Sequence, residues 1–217
     1  MSDSPSPITL HCLGDSITEA AGLPECGRWT ALLQRLLDEA EPGAYAVHNH
    51  GIGGNTSTMG MERMRHETIG QGITIIQFGL NDCACQGFNV KNRVGLAEYL
   101  DNLRAMVAIV RRRGGQPVLV ANHLPVYENE IRQSDGHLYS DKVRAYNAAV
   151  RDLAAELDVP LIDMEAHFAD SAQAGSDLRA DGLHLNIAGN EVYARRIFAF
   201  LQSAESPLLL AESVASD

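Results

Sequence analysis

Ser16, Asp181 and His184 are the residue types that carry acyl transfer without a metal. A serine hydroxyl is a weak nucleophile until a base takes its proton, and an imidazole titrates close enough to neutrality to be that base. The base needs a partner to fix its tautomer and ring orientation. Asp181 stands three residues before His184, so its carboxylate can reach the near ring nitrogen across one turn and leave the far one for Ser16. The tetrahedral intermediate of such a reaction carries an oxyanion that needs preorganised donors. The N–H of Ser16, the N–H of Gly54 and the side-chain amide of Asn81 are the candidates, and glycine at 53 and 54 lets the backbone come close to a substrate.

These residues act together only if the fold gathers them. Short runs rich in branched side chains at 8–13, 45–48, 73–78, 118–121 and 159–162 read as strands. Most lack in/out alternation, as in a sheet covered on both faces. Amphipathic stripes lie between them: Trp29, Leu32, Leu33, Leu36 and Leu37, then Leu96 to Val110, then Val143 to Leu157. A last helix carries Tyr193, Ile197, Phe200 and Leu201, with Asn186 as its N-cap. Strand–helix alternation from end to end predicts an α/β protein with a parallel sheet between helix layers. In such a sheet ligands bind beyond the carboxyl ends of the strands. Residues 14–18 follow the first strand, 49–56 the second and 79–82 the third, and 181–184 precede the last helix. A hydroxyl, a flexible turn, an amide and a carboxylate–imidazole pair thus fall on one edge of one sheet.

A Gly-Asp-Ser triplet or an Asn-Asp pair alone is an ordinary turn. Their order, each at the end of its own strand, is what carries meaning. Rival motifs fail on detail: 51–56 lacks the third glycine of GxGxxG, and neither GxxxxGK[ST] nor GxSxG occurs. The chain resembles the SGNH hydrolases, the GDSL lipase/esterase family. The GDSxT block is matched by Gly14-Asp15-Ser16-Ile17-Thr18, the asparagine-and-glycine block by 49–56, GxND by Gly79-Leu80-Asn81-Asp82, and DxxH by Asp181 and His184. The resemblance runs from residue 8 to about 203. It implies a flavodoxin-like three-layer α/β/α fold on a five-stranded parallel sheet, Ser16 as nucleophile, His184 as base and Asp181 as its orienting partner. It also implies an oxyanion hole from Ser16, Gly54 and Asn81, and hydrolysis of esters or thioesters with no metal and no cofactor. Gly53 stands where many members have serine, and the segment 83–93 matches no particular subfamily. Asp82 reads as backbone support, and His123 as a hydrogen-bonded residue at a strand end.

Composition narrows the remainder. The 217 residues suit one domain over 7–203, with a disordered N-terminus at 1–6 and a loosely patterned tail at 204–217 whose leucines at 208–210 could dock back. Seventeen basic and 28 acidic residues give a net charge of −11, which repels phosphate backbones and excludes nucleic acid as an expected partner. No apolar run approaches a membrane span, and the first residues lack the pattern of a secretory signal, so a cytoplasmic location is expected. The four cysteines have neither disulfide-scaffold nor zinc spacing, and His48 with His50 reads as ordinary polar packing. Polar residues dominate the loops at 83–95 and 125–140, among them Gln86, Arg93, Tyr127, Glu130 and Arg132. The expected substrate is therefore a small-molecule ester, a short acyl group such as acetyl on a polar alcohol. Thioesterase and lysophospholipase stay open within the same chemistry, a non-catalytic flavodoxin-like binding module is the competing class, and oligomeric state is left open.

Overall fold

The computed structural model describes residues 6–67, 69–127, 131–170, 180–203 and 206. All of the expected disordered N-terminus but Ser6, and all of the tail but Ser206, lie outside the described residues, as do the leucines at 208–210 and loop residue Glu130.

Five strands form one parallel sheet in the order β2-β1-β3-β4-β5, the order of flavodoxin-like doubly wound folds. They are β1 (Ile8–Gly14), β2 (Tyr45–Gly51), β3 (Ile73–Gln77), β4 (Gln116–Ala121) and β5 (Leu161–Asp163). Every residue of β3 and the last five of β1 are buried, which explains why these segments read as unbroken apolar runs. β2 differs. It is an edge strand with His48 and Asn49 exposed, because nothing pairs with its outer side within the described sheet.

Two layers of helices cover the sheet. The helix α2 (Trp29–Ala40) packs on α8 (Ile187–Leu201), while α3 (Ser57–His66) packs on α5 (Leu96–Arg112) and α5 on α6 (Tyr139–Leu157). The stripe of α2 buries Trp29, Leu32, Leu33 and Leu37, the spacing of one helical face. Asn186 caps α8 as expected, its Oδ1 accepting from the Gly189 N–H at 2.9 Å. Sequence periodicity did not disclose α3, whose buried face consists of Ser57, Gly60 and Met64. Such small and polar residues make no apolar stripe. Three short helices complete the set: α1 (Ser16–Glu19), α4 (Leu80–Cys83) and α7 (Met164–Asp170). Among the described residues no helix is long and apolar enough to cross a membrane.

Register sets what happens at the carboxyl edge. Gly14 of β1 lies opposite Gly51 of β2 and Gln77 of β3, so three strands end level at the point where the strand order reverses. α1 turns back immediately over that level edge. It lies so close to β2 that a Cβ on Gly51 would sit 2.0 Å from the Glu19 nitrogen and 2.5 Å from the Thr18 carbonyl carbon. Both are backbone atoms, so no side chain can swing aside. Gly51→Ala is expected to cost about 1–3 kcal/mol of overpacking strain, which lowers the thermal midpoint by roughly 2–12 °C in a chain of this size. A wild-type midpoint in calorimetry would show that α1 and β2 separate freely.

Candidate active site

Asp15 starts α1 as its N-cap, its Oδ1 accepting from the Ile17 N–H at 2.9 Å. Four residues make too short a helix to hold itself, and neighbouring elements tie it down. The Trp29 indole donates to the Ile17 carbonyl at 3.1 Å, the Asn49 amide to the Thr18 carbonyl at 2.8 Å, and the Thr18 hydroxyl to Gln77 Oε1 at 2.9 Å. Gln77 in turn donates to Asn122 Oδ1 at 2.7 Å. Asn122 exchanges backbone-to-amide bonds of 2.8 and 2.7 Å with Asn147. A buried polar chain thus runs under the carboxyl edge from α1 to α6. Sequence reading missed it. Its only sign was a polar residue at the carboxyl end of a mostly apolar strand: Gln77 as the last residue of β3 and Asn122 as the first after β4.

These ties present Ser16 to the far end of the chain. Ser16 Oγ lies 2.9 Å from His184 Nε2, across a sequence separation of 168 residues. His184 Nδ1 lies 2.7 Å from Asp181 Oδ2, and Asp181 Oδ1 accepts the N–H groups of His184 at 2.7 Å and Leu183 at 3.0 Å. Partial burial pushes the Asp181 carboxyl up, but the bonds from the His184 ring and from the two backbone N–H groups outweigh it and hold it below the usual carboxylate range. The two side chains are 45% and 56% exposed. At that exposure the ion pair adds little stability, and its effect is to orient the ring. The loop itself is braced from below: the carbonyl of Gly182 accepts from the Val126 N–H at 2.7 Å. The buried His123 ring lies 2.9 Å from the Leu183 carbonyl, a strand-end role of the kind expected from sequence.

The turn after β2 supplies the backbone candidates. Gly54 has φ +76°, a left-handed conformation that favours glycine. The turn closes through an Asn55 N–H bond to the Ile52 carbonyl at 3.2 Å. It is fastened to α1 by the Gly53 N–H, which donates to Glu19 Oε2 at 2.6 Å. The Asn81 amide on α4 donates to the Asn55 carbonyl at 3.1 Å, so the turn and α4 stand side by side. Asp82 faces inward, accepting from Ser57 N–H at 2.9 Å and Gly79 N–H at 3.2 Å, and is therefore a support for the loop rather than part of the opening. Burial raises its carboxyl.

A cavity of about 330 Å³ opens beside Ser16 and His184, lined chiefly by Ile17, Ala20, Ala21, Leu23 and Leu185. The polar loop at 83–95 lines a different cavity of about 340 Å³, between Thr56 and Glu98, that includes Gln86, Lys91 and Arg93. The alanines of the first cavity were not anticipated, since small apolar residues in a loop give no pattern. Elsewhere, His11 joins the two histidines noted from sequence, its Nδ1 lying 3.0 Å from His50 Nε2. Burial and the neighbouring imidazoles push its titration down to about 4. Among the described residues no cluster of three or more His, Cys, Asp or Glu is arranged to hold a metal ion.

The model of the GDSL-like lipase/acylhydrolase family matches residues 12–192. Esterase TesA of Pseudomonas aeruginosa is 29% identical over 83% of this chain and 81% of its own. The human isoamyl acetate-hydrolyzing esterase 1 homolog is 28% identical over 93% of this chain and 85% of its own. Among solved structures, an acetyl xylan esterase, AlAXEase, superposes with a TM-score of 0.73 at 22% identity, covering 88% of this chain and 98% of that one.

Asp15 gives the site a measurable signature. It is fully buried, and burial pushes its carboxyl up to about 7 against the opposing bond from Ile17 N–H. Between the unfolded value near 4 and that figure, the folded chain keeps a proton that the unfolded chain releases. This contribution is full below pH 4 and is lost as pH rises towards 7, at up to about 1.4 kcal/mol per pH unit. Asp15→Asn cannot ionise there. The stability of Asp15→Asn minus that of wild type, from urea unfolding at pH 4.5, 6 and 8, should rise with pH. A pH-independent difference would mean that Asp15 titrates alike in both states.

Proposed function

The chain belongs to the GDSL-like lipase/acylhydrolase family and is a carboxylic ester hydrolase; on that basis we propose that it cleaves short-chain acyl esters through an acyl-enzyme on Ser16. The observation that carries this reading is the continuous line Ser16 Oγ–His184 Nε2–His184 Nδ1–Asp181 Oδ2, with steps of 2.9 and 2.7 Å.

The sequence of events follows from that line. Ser16 Oγ attacks the ester carbonyl carbon as His184 Nε2 takes its proton, and Asp181 steadies the imidazolium. The carbonyl oxygen becomes an oxyanion between the N–H groups of Ser16 and Gly54 and the Asn81 amide, donors that need no rearrangement when the charge develops. His184 returns the proton to the departing alkoxide. Water then attacks the acyl carbon as His184 takes its proton; the bond from that carbon to Ser16 Oγ breaks, His184 returns the proton to Ser16 Oγ, and the free acid leaves. No step needs a metal or cofactor.

The cavity argues for the substrate. It is lined by Ser16 and by His184, the residue that returns the proton in this proposal, and so has room for the leaving alcohol. Its alanine, isoleucine and leucine lining suits a small alcohol with an apolar body. The expectation of a polar alcohol rested partly on the loop at 83–95, and that loop lines the other cavity. A short acyl group, acetyl above all, is retained in this proposal, and the human relative's name, an isoamyl acetate-hydrolyzing esterase, supports it. The four cysteines are free thiols, which suits a reducing compartment and supports a cytoplasmic location.

p-Nitrophenyl esters of graded length test the acyl side. Acetyl and butyryl esters should have higher kcat/KM than octanoyl, because the cavity beside Ser16 holds only about 330 Å³ and a longer chain gains little of the roughly 0.8 kcal/mol available per buried methylene. Isoamyl acetate should be cleaved better than an acetylated sugar. A kcat/KM that climbs steadily past eight carbons would overturn the short-acyl reading, and a preference for the sugar would restore the polar alcohol.

A further inference from the structure

The segment 83–93, which matched no subfamily pattern and leads from α4 towards α5, ends in an arginine with an unusual pair of partners. Arg93 Nη1 donates to Asn81 Oδ1 at 3.1 Å and Arg93 Nη2 donates to the Gly54 carbonyl at 2.8 Å. One guanidinium therefore grips two residues assigned above to the oxyanion, one in the turn after β2 and one on α4. The loop is built to deliver it. Arg93 N–H bonds the Ala84 carbonyl at 2.9 Å, Val94 N–H bonds the Asp82 carbonyl at 3.1 Å, and Cys85 pairs with Asn92. The chain leaves α4, makes an excursion and returns beside its own starting point.

We propose that Arg93 is a positioning residue that fixes which face of the Asn81 amide is turned to the substrate. This rests on the reading of Asn81 as an oxyanion donor. The terminal torsion of asparagine is broad and roughly two-fold, so an unconstrained amide can present either its NH2 or its oxygen. Only the NH2 stabilises a developing negative charge; the oxygen repels it. A guanidinium has five N–H donors and no acceptor, so it binds the Oδ1 side alone and rejects the flipped amide. The Asn55 carbonyl, which accepts only from Nδ2, selects the same orientation from the other side. The second fork of Arg93 holds the Gly54 carbonyl, and Glu19 holds Gly53 N–H from the opposite flank. The turn and the amide are thus kept in one arrangement before substrate arrives. An oxyanion exists in the transition state and not in the ground-state ester, so loss of this hold falls on kcat and leaves KM largely alone.

The test is a double-mutant cycle on the purified full-length chain with p-nitrophenyl acetate. Arg93→Met should lower kcat about 10–100-fold, with KM within about threefold and an unchanged thermal midpoint, as a donor worth about 10²–10³ in kcat is misaligned rather than removed. Arg93→Lys keeps the charge but not the fork, and should recover little of the loss, whereas added guanidinium should rescue Arg93→Met and not Arg93→Lys. In an Asn81→Ala background, the further effect of Arg93→Met should shrink to about twofold or less. A full effect of Arg93→Met in that background, a change confined to KM, or wild-type kcat in Arg93→Met would each overturn the proposal. If Arg93→Met does not fold, Arg93→Gln carries the same cycle. Wild-type kcat in Asn81→Ala would instead overturn the oxyanion assignment beneath it.

Discussion

A helix of four residues has to hold still the Ser16 hydroxyl, the nucleophile of the proposed reaction, and it lacks the hydrogen bonds to do so alone. α1 is held by its surroundings: Asp15 caps it, Trp29 and Asn49 bond its carbonyls, and Gln77 holds Thr18 from the neighbouring strand. The rest of the molecule is arranged around that requirement. β1, β2 and β3 must end level, Gly51 must lack a side chain, and Gln77 must be polar inside an apolar sheet. A buried polar group without partners is costly, which is why the Gln77 amide continues into Asn122 and Asn147 rather than ending in the core.

The edge of the sheet divides into a rigid part and an open part. Ser16, the turn at 51–55 and Asn81 are linked through Glu19 and Arg93 into one hydrogen-bonded frame. Asp181 and His184 arrive from the last loop and are half exposed. Their geometry comes from the local turn, in which one carboxylate oxygen takes two backbone N–H groups and the other takes the ring. An ion pair this exposed is screened by solvent, but a carboxylate with three hydrogen bonds has little freedom to turn. Preorganisation of this kind, more than pair strength, is what acyl transfer requires.

Much of this was legible in the sequence. The five strands and the four long amphipathic helices follow from apolar runs and periodicity. Motif order singled out Ser16, Asp181 and His184, which the fold brings within hydrogen-bonding distance. It also singled out Gly54 and Asn81, whose turn and helix stand side by side. What was not legible has physical causes. The α3 helix buries Ser57 and Gly60, which no apolar periodicity registers. The Gln77–Asn122 and Asn122–Asn147 bonds join residues 45 and 25 positions apart, and polar pairing at that distance has no local signature. Arg93 appeared as one charge in a polar loop, whereas its meaning depends on a chain reversal that returns it to Asn81, twelve positions earlier. The polar character of that loop does not by itself say where it sits, because composition does not tell which loop borders which space; in the structure it lines the cavity between Thr56 and Glu98.

The central claim is that one serine is activated, and that it is Ser16 through His184. Covalent labelling reads this most directly. A fluorophosphonate reacts with a serine only when a base removes its proton and donors receive the developing oxyanion. Intact-mass and peptide analysis of the treated protein should find a single adduct, on Ser16, unaffected by EDTA and abolished in His184→Ala. An adduct on another serine, labelling that survives His184→Ala at the same rate, or no labelling of the folded wild-type chain would contradict the account.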